Sequence, residues 1–520
     1  MSDESIYHIF NEYRAVEHFK RIRNRLRRYK PQEIVLACIK RLNIEHDTTE
    51  KYIQELRFYP PWFLFLLIKW TIKYGEYASP DRKSLTEADF RYLINLIHDF
   101  FGVQRGPTDY GGVYLFFRTI AYQQLWVQEN YAINKLGRQH KFFSILPPNH
   151  YLKSLFKSET NISIDDFIEL TFALLTRFIT QKELFITESW FGPLENAYPP
   201  GTITKFLSIF SKNWSDLKDY LENQPQVSVA YEFHEQTPLR RYPLLKIQDK
   251  YFCFSRELIS HSAQNIVYDI LREKDAAKFM DKFGDIFERY VEDVLSKTKL
   301  HYLTEKELKQ KLNPKEKVVD FVVVEANANI FIDAKGIELS TIGMVSHISQ
   351  IVTDKSRNSI IKGVEQYYST VNQCLATTLF DVSNKRNYLI IITYKDVFLG
   401  SGKDFLNDIA IDKYSQIISK YPNCNFLRSD QIYFISIDDF DLLVELIISR
   451  NKSISEVLEF AVKSDQINET KKFLFRQHLT EISNDLRNVS YLNEHFVEIA
   501  NSCENKIRQT SSISEESKEK

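Results

Sequence analysis

Two apolar, β-branched runs that each carry charge constrain this chain more than any other feature. The first is Val318-Val319-Asp320-Phe321-Val322-Val323-Val324 and the second is Ile330-Phe331-Ile332-Asp333-Ala334-Lys335, with Glu325 to Asn329 between them. Residues of this kind on both sides of a short Ala-Asn-Ala-Asn segment predict a β-hairpin. A buried, unpaired charge in such a strand costs several kcal/mol, yet Asp320 interrupts the first run and Asp333 and Lys335 close the second. Side chains alternate along a strand, so Asp333 and Lys335 are expected on one face.

The chemistry that suits these residues is the binding of a hard cation. Two carboxylates brought to one point repel each other, and a divalent cation with oxygen ligands removes that repulsion. Such an ion activates a bound water and steadies charge on a phosphate leaving group, with a neighbouring lysine to position the water. A third carboxylate is available from the preceding helix. There Phe283, Ile286, Phe287, Tyr290, Val291 and Val294 form one apolar stripe, and Glu288 and Glu292 flank it. Either could reach the ion; Glu288 is preferred for its place at the buried border.

Glu288 in a helix, Asp320 in a strand and Asp333-x-Lys335 in the next strand resemble the PD-(D/E)XK nuclease superfamily, which includes restriction endonucleases. The twelve residues between Asp320 and Asp333 fit that family's spacing, and the helix and strand that follow fit its αβββαβ core. The resemblance implies that Asp320, Asp333 and Glu288 bind Mg²⁺ or Mn²⁺, with the Ala334 carbonyl as an additional ligand. It implies catalysis by Asp320, Asp333, Lys335 and Glu288, and auxiliary roles for Lys362 and Gln366 on the next helix. Val319 stands where the family name has proline. Thr370 stands where RecB-like members carry tyrosine, so the RecB subfamily is not indicated. The implied activity is a magnesium-dependent endonuclease acting on DNA, in restriction or antiviral defence. Two rivals are an RNA-cleaving effector with the same site and a non-enzymatic binding module with a decayed nuclease fold. The intact Asp320, Asp333 and Lys335 argue against decay.

The fold class expected is α/β: a restriction-endonuclease-like core with a large all-helical N-terminal region and a helical C-terminal extension. With only 14 glycines and 15 prolines in 520 residues, below the roughly 7% and 5% usual in proteins, long helices are favoured over a many-stranded sandwich. Residues 1–222 read as successive helices that would bind a target or a partner protein. Residues 223–273, with Pro225 and Pro238, read as a linker containing a hairpin and a helix. Residues 274–450 would form the nuclease domain, 451–508 the C-terminal helices and 509–520 a disordered tail.

The formal net charge of −1 means that any nucleic-acid surface must be local. Lys355 and Arg357, just before the post-motif helix, are candidates, as are Arg23 and Arg27 within Lys20 to Lys30, a segment with seven basic residues. Gly400-Ser401-Gly402-Lys403 has the look of a phosphate loop, but Asp404 stands where Ser or Thr would hold magnesium, and it is read as an ordinary loop. Five scattered cysteines suit a reducing cytoplasm and exclude a disulfide framework. The chain start lacks signal-peptide character, and no membrane segment is expected. Oligomeric state stays open.

Overall fold

The computed structural model describes residues 3–77, 81–102, 113–128, 135–225, 228–313, 316–377, 379–486 and 488–516. Most of the Gly102 to Gly112 break lies outside them. The chain is a mixed α/β protein that divides into two units. One comprises Met1–Asp109, Ile120–Lys274 and Leu492–Lys520; the other comprises Tyr110–Thr119 and Asp275–Tyr491.

The first unit is built mainly of helices started by local devices. Pro31 and Pro61 occupy first-turn positions, where a missing N–H costs nothing. Ser163 accepts from the Asp166 amide and caps Ile164–Leu175. Phe19, Ile22 and Leu26 of helix Asp3–Leu26 are buried, as is Tyr29 just beyond its end, while Lys20, Arg21, Arg27 and Arg28 are exposed and Arg23 and Arg25 half-buried. The region is not all helical. Strands β1 (Phe185–Ile186) and β2 (Ser211–Asn213) flank the hairpin of β3 (Leu244–Ile247) and β4 (Lys250–Cys253) in the order β1-β4-β3-β2. Two- and three-residue strands are too short for alternation to show in sequence, so the expectation of an all-helical region does not hold here. The stretch read as a linker, 223–273, belongs to this unit, and its residues Phe233, Leu239, Leu245, Phe254 and Leu258 join the core.

The second unit is organised on a five-stranded sheet: β5 (Tyr302–Thr304), β6 (Phe321–Val324), β7 (Ala328–Lys335), β8 (Arg386–Thr393) and β9 (Ile432–Ser436), neighbours in that order. β5, β6 and β7 run antiparallel, whereas β7, β8 and β9 run parallel. Parallel neighbours need crossovers, and β7 reaches β8 through helices that end in Lys362–Thr377. Helix Ala276–Ser296 packs on β7, with its Phe283 ring against Tyr394 at 5.0 Å between centroids. Strand β6 starts at Phe321, so Asp320 sits immediately before the strand rather than inside it.

The C-terminal helices are shared between units. Ile454–Asp465 and Phe475–Ile482 lie in the second, and Glu325 accepts from the amides of Ile454 and Ser455 at 2.9 and 3.1 Å. The last helix, Ser490–Glu516, continues across residues 509–516, which were expected to be disordered. No described helix is long and apolar enough to cross a membrane. The five cysteines are buried free thiols.

Candidate active site

The register of the hairpin brings the two aspartates face to face. Phe321 pairs with Ile332 across β6 and β7, so the next step outward sets Asp320 opposite Asp333. A direct hydrogen bond within the turn, Glu325 N–H to the Ala328 carbonyl at 2.9 Å, fixes that register. Asp333 is fully buried and Asp320 is 8% exposed. The Ala334 amide donates to Asp320 Oδ2 at 2.6 Å. Asp333 Oδ1 accepts no hydrogen bond among the described residues. Burial, reinforced by the charge of Asp333, pushes the Asp320 carboxyl well above its usual pKa. Burial raises Asp333 too, against the opposing pull of Lys335.

Lys335 is the cation of this cluster. Its Nζ lies 2.6 Å from Asp333 Oδ2 and donates to Gln366 Oε1 at 3.2 Å. Burial works against the ammonium, but Asp333 and Asp320 outweigh it and hold the Lys335 pKa above that of an ordinary lysine. Two carboxylates therefore share one half-buried ammonium.

Helix Lys362–Thr377 positions the cluster from above. Gln366 Nε2 donates to the Val318 carbonyl at 2.9 Å while its oxygen holds Lys335. One turn on, Thr370 Oγ1 accepts from the Val319 amide at 3.1 Å. The helix thus grips the backbone that bears Asp320 and the side chain that neutralises Asp333. Gly363 lets it approach: a Cβ there would stand 2.5 Å from Asp333 Oδ2 and 2.8 Å from Ile391 Cδ1. Sequence reasoning missed Gly363, and it marked Thr370 only as the place of an absent tyrosine, without its hold on the Val319 amide. The signal for Gly363 was a lone glycine in a helix, which costs about 1 kcal/mol relative to alanine and calls for a reason.

The remaining candidates fall in different places. Glu288 is half-buried; burial, then Glu305 and Asp285, raise its pKa, and its charge acts on Asp320 and Lys335. It nonetheless forms no three-carboxylate cluster with Asp320 and Asp333 whose ligand atoms lie within 4.8 Å of one another. Lys362 stands beside Lys317, whose ammonium, together with burial, pushes the Lys362 pKa down. Both line a cleft of about 810 Å³ together with Arg357, Gln366, Lys413 and Lys420, against Glu316 and Glu365. Lys317 was not singled out in the sequence because it resembles any exposed lysine before a strand. Lys355 is exposed, and its stem lies along Gly343. Arg23 and Arg27 belong to the other unit; Arg23 lies over the Phe19 ring and Arg27 is exposed.

The Gly400–Lys403 segment is no phosphate loop. Ser401 caps the short helix Gly402–Asp404, its hydroxyl donates to Asp404 at 2.8 Å, and Asp404 pairs with Lys471.

The donor set fits a hard divalent cation: two opposed carboxylates and more negative than positive charge, with one ammonium between them. Comparison of the chain with protein-family models, curated proteins and solved structures returns no match.

Proposed function

We propose that the second unit is a Mg²⁺- or Mn²⁺-dependent nuclease that hydrolyses phosphodiester bonds, with DNA as its substrate. The observation that carries this reading is the opposed pair Asp320 and Asp333 with Lys335 between Asp333 and Gln366, the last of which also lines a lysine-rich cleft. The succession of helix Ala276–Ser296, strands β5 to β7, helix Lys362–Thr377 and β8 supports reading the core as restriction-endonuclease-like αβββαβ. Fold-level likeness alone would not assign chemistry; the side chains do.

Asp320, Asp333 and the Ala334 carbonyl would hold the cation, which supplies charge neutralisation and a water of lowered pKa. Lys335, held as an ammonium, acts as a donor and a positive charge toward the phosphate rather than as a base. Gln366 keeps it aimed. Glu288 tunes the field from the flank. Lys317, Lys362, Arg357, Lys413 and Lys420 give the cleft the local positive charge that a chain of net charge −1 requires to hold a polyanion. A role in restriction or antiphage defence, in the cytoplasm, with the helical unit engaging a target or partner, is part of the same proposal.

Purified protein with Mg²⁺ or Mn²⁺ on supercoiled plasmid, linear duplex, single-stranded DNA and RNA is the direct test. Cleavage of DNA that disappears in Asp333→Ala is expected. Cleavage of RNA alone would reassign the substrate, and equal cutting by parent and Asp333→Ala would end the proposal.

A further inference from the structure

Two histidines and a glutamate of the helical unit converge on one point far along the chain from the acidic pair. His140 opens the π-helical turn His140–Ser144, and His495 and Glu498 are one turn apart on helix Ser490–Glu516. His495 Nδ1 lies 3.0 Å from Glu498 Oε2, and His140 Nδ1 lies 3.7 Å from the same oxygen. The imidazole rings are 5.5 Å apart between centroids, and one donor atom from each of the three residues lies within 4.8 Å of the others. Zinc bonds of about 2.0–2.1 Å in a tetrahedron set ligand atoms roughly 3.3 Å apart, so side-chain rotation of about an ångström closes the set. His140 Nδ1 is buried and makes no hydrogen bond among the described residues.

The backbones that present these ligands are already locked together. A side chain at Gly137 would collide with the Leu492 carbonyl. Phe172 meets Phe496 edge-on at 5.4 Å, and Lys506 pairs with Asp166 at 2.8 Å. Extra backbone in a π turn is frequent at functional sites, and here it sets His140 toward the C-terminal helix.

We propose that His140, His495 and Glu498 form a Zn²⁺ site that staples helix Ser490–Glu516 to the His140 turn. Two imidazoles and one carboxylate suit zinc, whereas the all-oxygen set at Asp320 and Asp333 suits magnesium. Glu498 is on the solvent side, with 59% of its side chain exposed, which leaves a fourth position for water. The site is independent of the nuclease reading.

The test uses the full chain carrying Asp333→Asn, which disables the other metal site. Calorimetric titration with Zn²⁺ is expected to show one equivalent bound, and Co²⁺ to give the visible absorption of a four-coordinate ion. Adding His495→Ala, or separately Glu498→Gln, is expected to weaken Zn²⁺ binding by about 100-fold or more and to abolish the zinc-dependent rise in melting temperature. Glu498→Gln alters an exposed side chain, so its fold survives for comparison. Absence of zinc binding by the Asp333→Asn chain, or equal affinity after Glu498→Gln and His495→Ala, overturns the proposal.

Discussion

Asp320→Asn is expected to make the metal-free protein more stable while removing its response to magnesium. Asp320 and Asp333 face each other in a nearly water-free place, and one ammonium, Lys335, serves both. A buried charge without its own partner costs about 3–5 kcal/mol. The substitution relieves that cost and leaves the Asp333–Lys335 pair intact. Against the gain, the Ala334 amide keeps an acceptor in the asparagine oxygen but loses the charge assistance, worth about 1 kcal/mol, and Lys335 loses a second attraction of similar size. The net is a stabilisation on the order of 1–3 kcal/mol at neutral pH. Its pH dependence has a definite sign. A carboxyl whose folded pKa is raised, by burial first and by Asp333 next, contributes stability that is full below its unfolded pKa of about 3.9 and is lost as pH rises through the folded value. Parent and variant should therefore melt together in acid and separate as pH climbs to neutral. Magnesium at about 100 times its dissociation constant returns about 2.7 kcal/mol to the parent and nothing to the variant. Thermal unfolding followed by circular dichroism, with and without Mg²⁺ at several pH values, reads all of this. A metal-free variant that is less stable than the parent at neutral pH, or one that magnesium stabilises equally, refutes the reasoning.

Three further outcomes follow from the same geometry. Gly363→Ala gains about 1 kcal/mol of helix propensity but forces a methyl into Asp333 and Ile391 at an overpacking cost of about 1–3 kcal/mol; chemical denaturation should show a net loss, with slower cleavage, and a stabilised, fully active variant would show that the helix can draw back. Lys335→Ala should lower the single-turnover cleavage rate by about 10²–10⁴-fold with substrate affinity little changed; a binding defect with normal turnover would move Lys335 from the chemistry to the cleft. Lys317→Ala combined with Lys362→Ala should flatten the slope of log affinity against log salt by about 0.9 for each duplex phosphate that is no longer neutralised, measured by fluorescence anisotropy in Ca²⁺; an unchanged slope would place the nucleic acid elsewhere.

Much of the site was legible because its residues break the pattern around them. Asp320, Asp333 and Lys335 stand out in runs of Val, Ile and Phe, and the helix before them announces its buried stripe through Phe283, Phe287, Tyr290 and Val294, all buried. The opposition of Asp320 and Asp333 was not readable from either run alone, since it depends on the hydrogen bond that closes the turn at Glu325 and Ala328. The roles of Thr370 and Gly363 were hidden for a different reason: each residue acts on a strand distant in sequence, through a backbone amide or through the absence of a side chain. The short strands β1 and β2 were hidden because two or three residues carry no period. Arg23 and Arg27 were singled out by charge density, and the structure places them in the first unit, a matter on which charge density is silent.

The cost structure of the second unit points to the same place. Elsewhere in it, among the described residues, partly buried charges are paired: Arg476 bonds Asp396 and the buried Asp439 at 3.0 and 2.9 Å, and Lys395 pairs with Glu338 at 2.7 Å. Asp441 accepts from the hydroxyls of Tyr290 and Tyr491. At the Asp320–Asp333 pair the matching stops, in the middle of a sheet whose neighbouring strand presents Ile390, Ile391 and Ile392. A glycine in the covering helix and two carboxyls on one ammonium are both unfavourable for folding, and an apolar replacement of the acidic pair would stabilise the unit. The two defects lie side by side, because the bare Gly363 Cα is what permits the Asp333 carboxylate to stand where it does. Folding alone gives no reason to keep two such defects together, whereas the proposed cation between the carboxylates would give each of them a use.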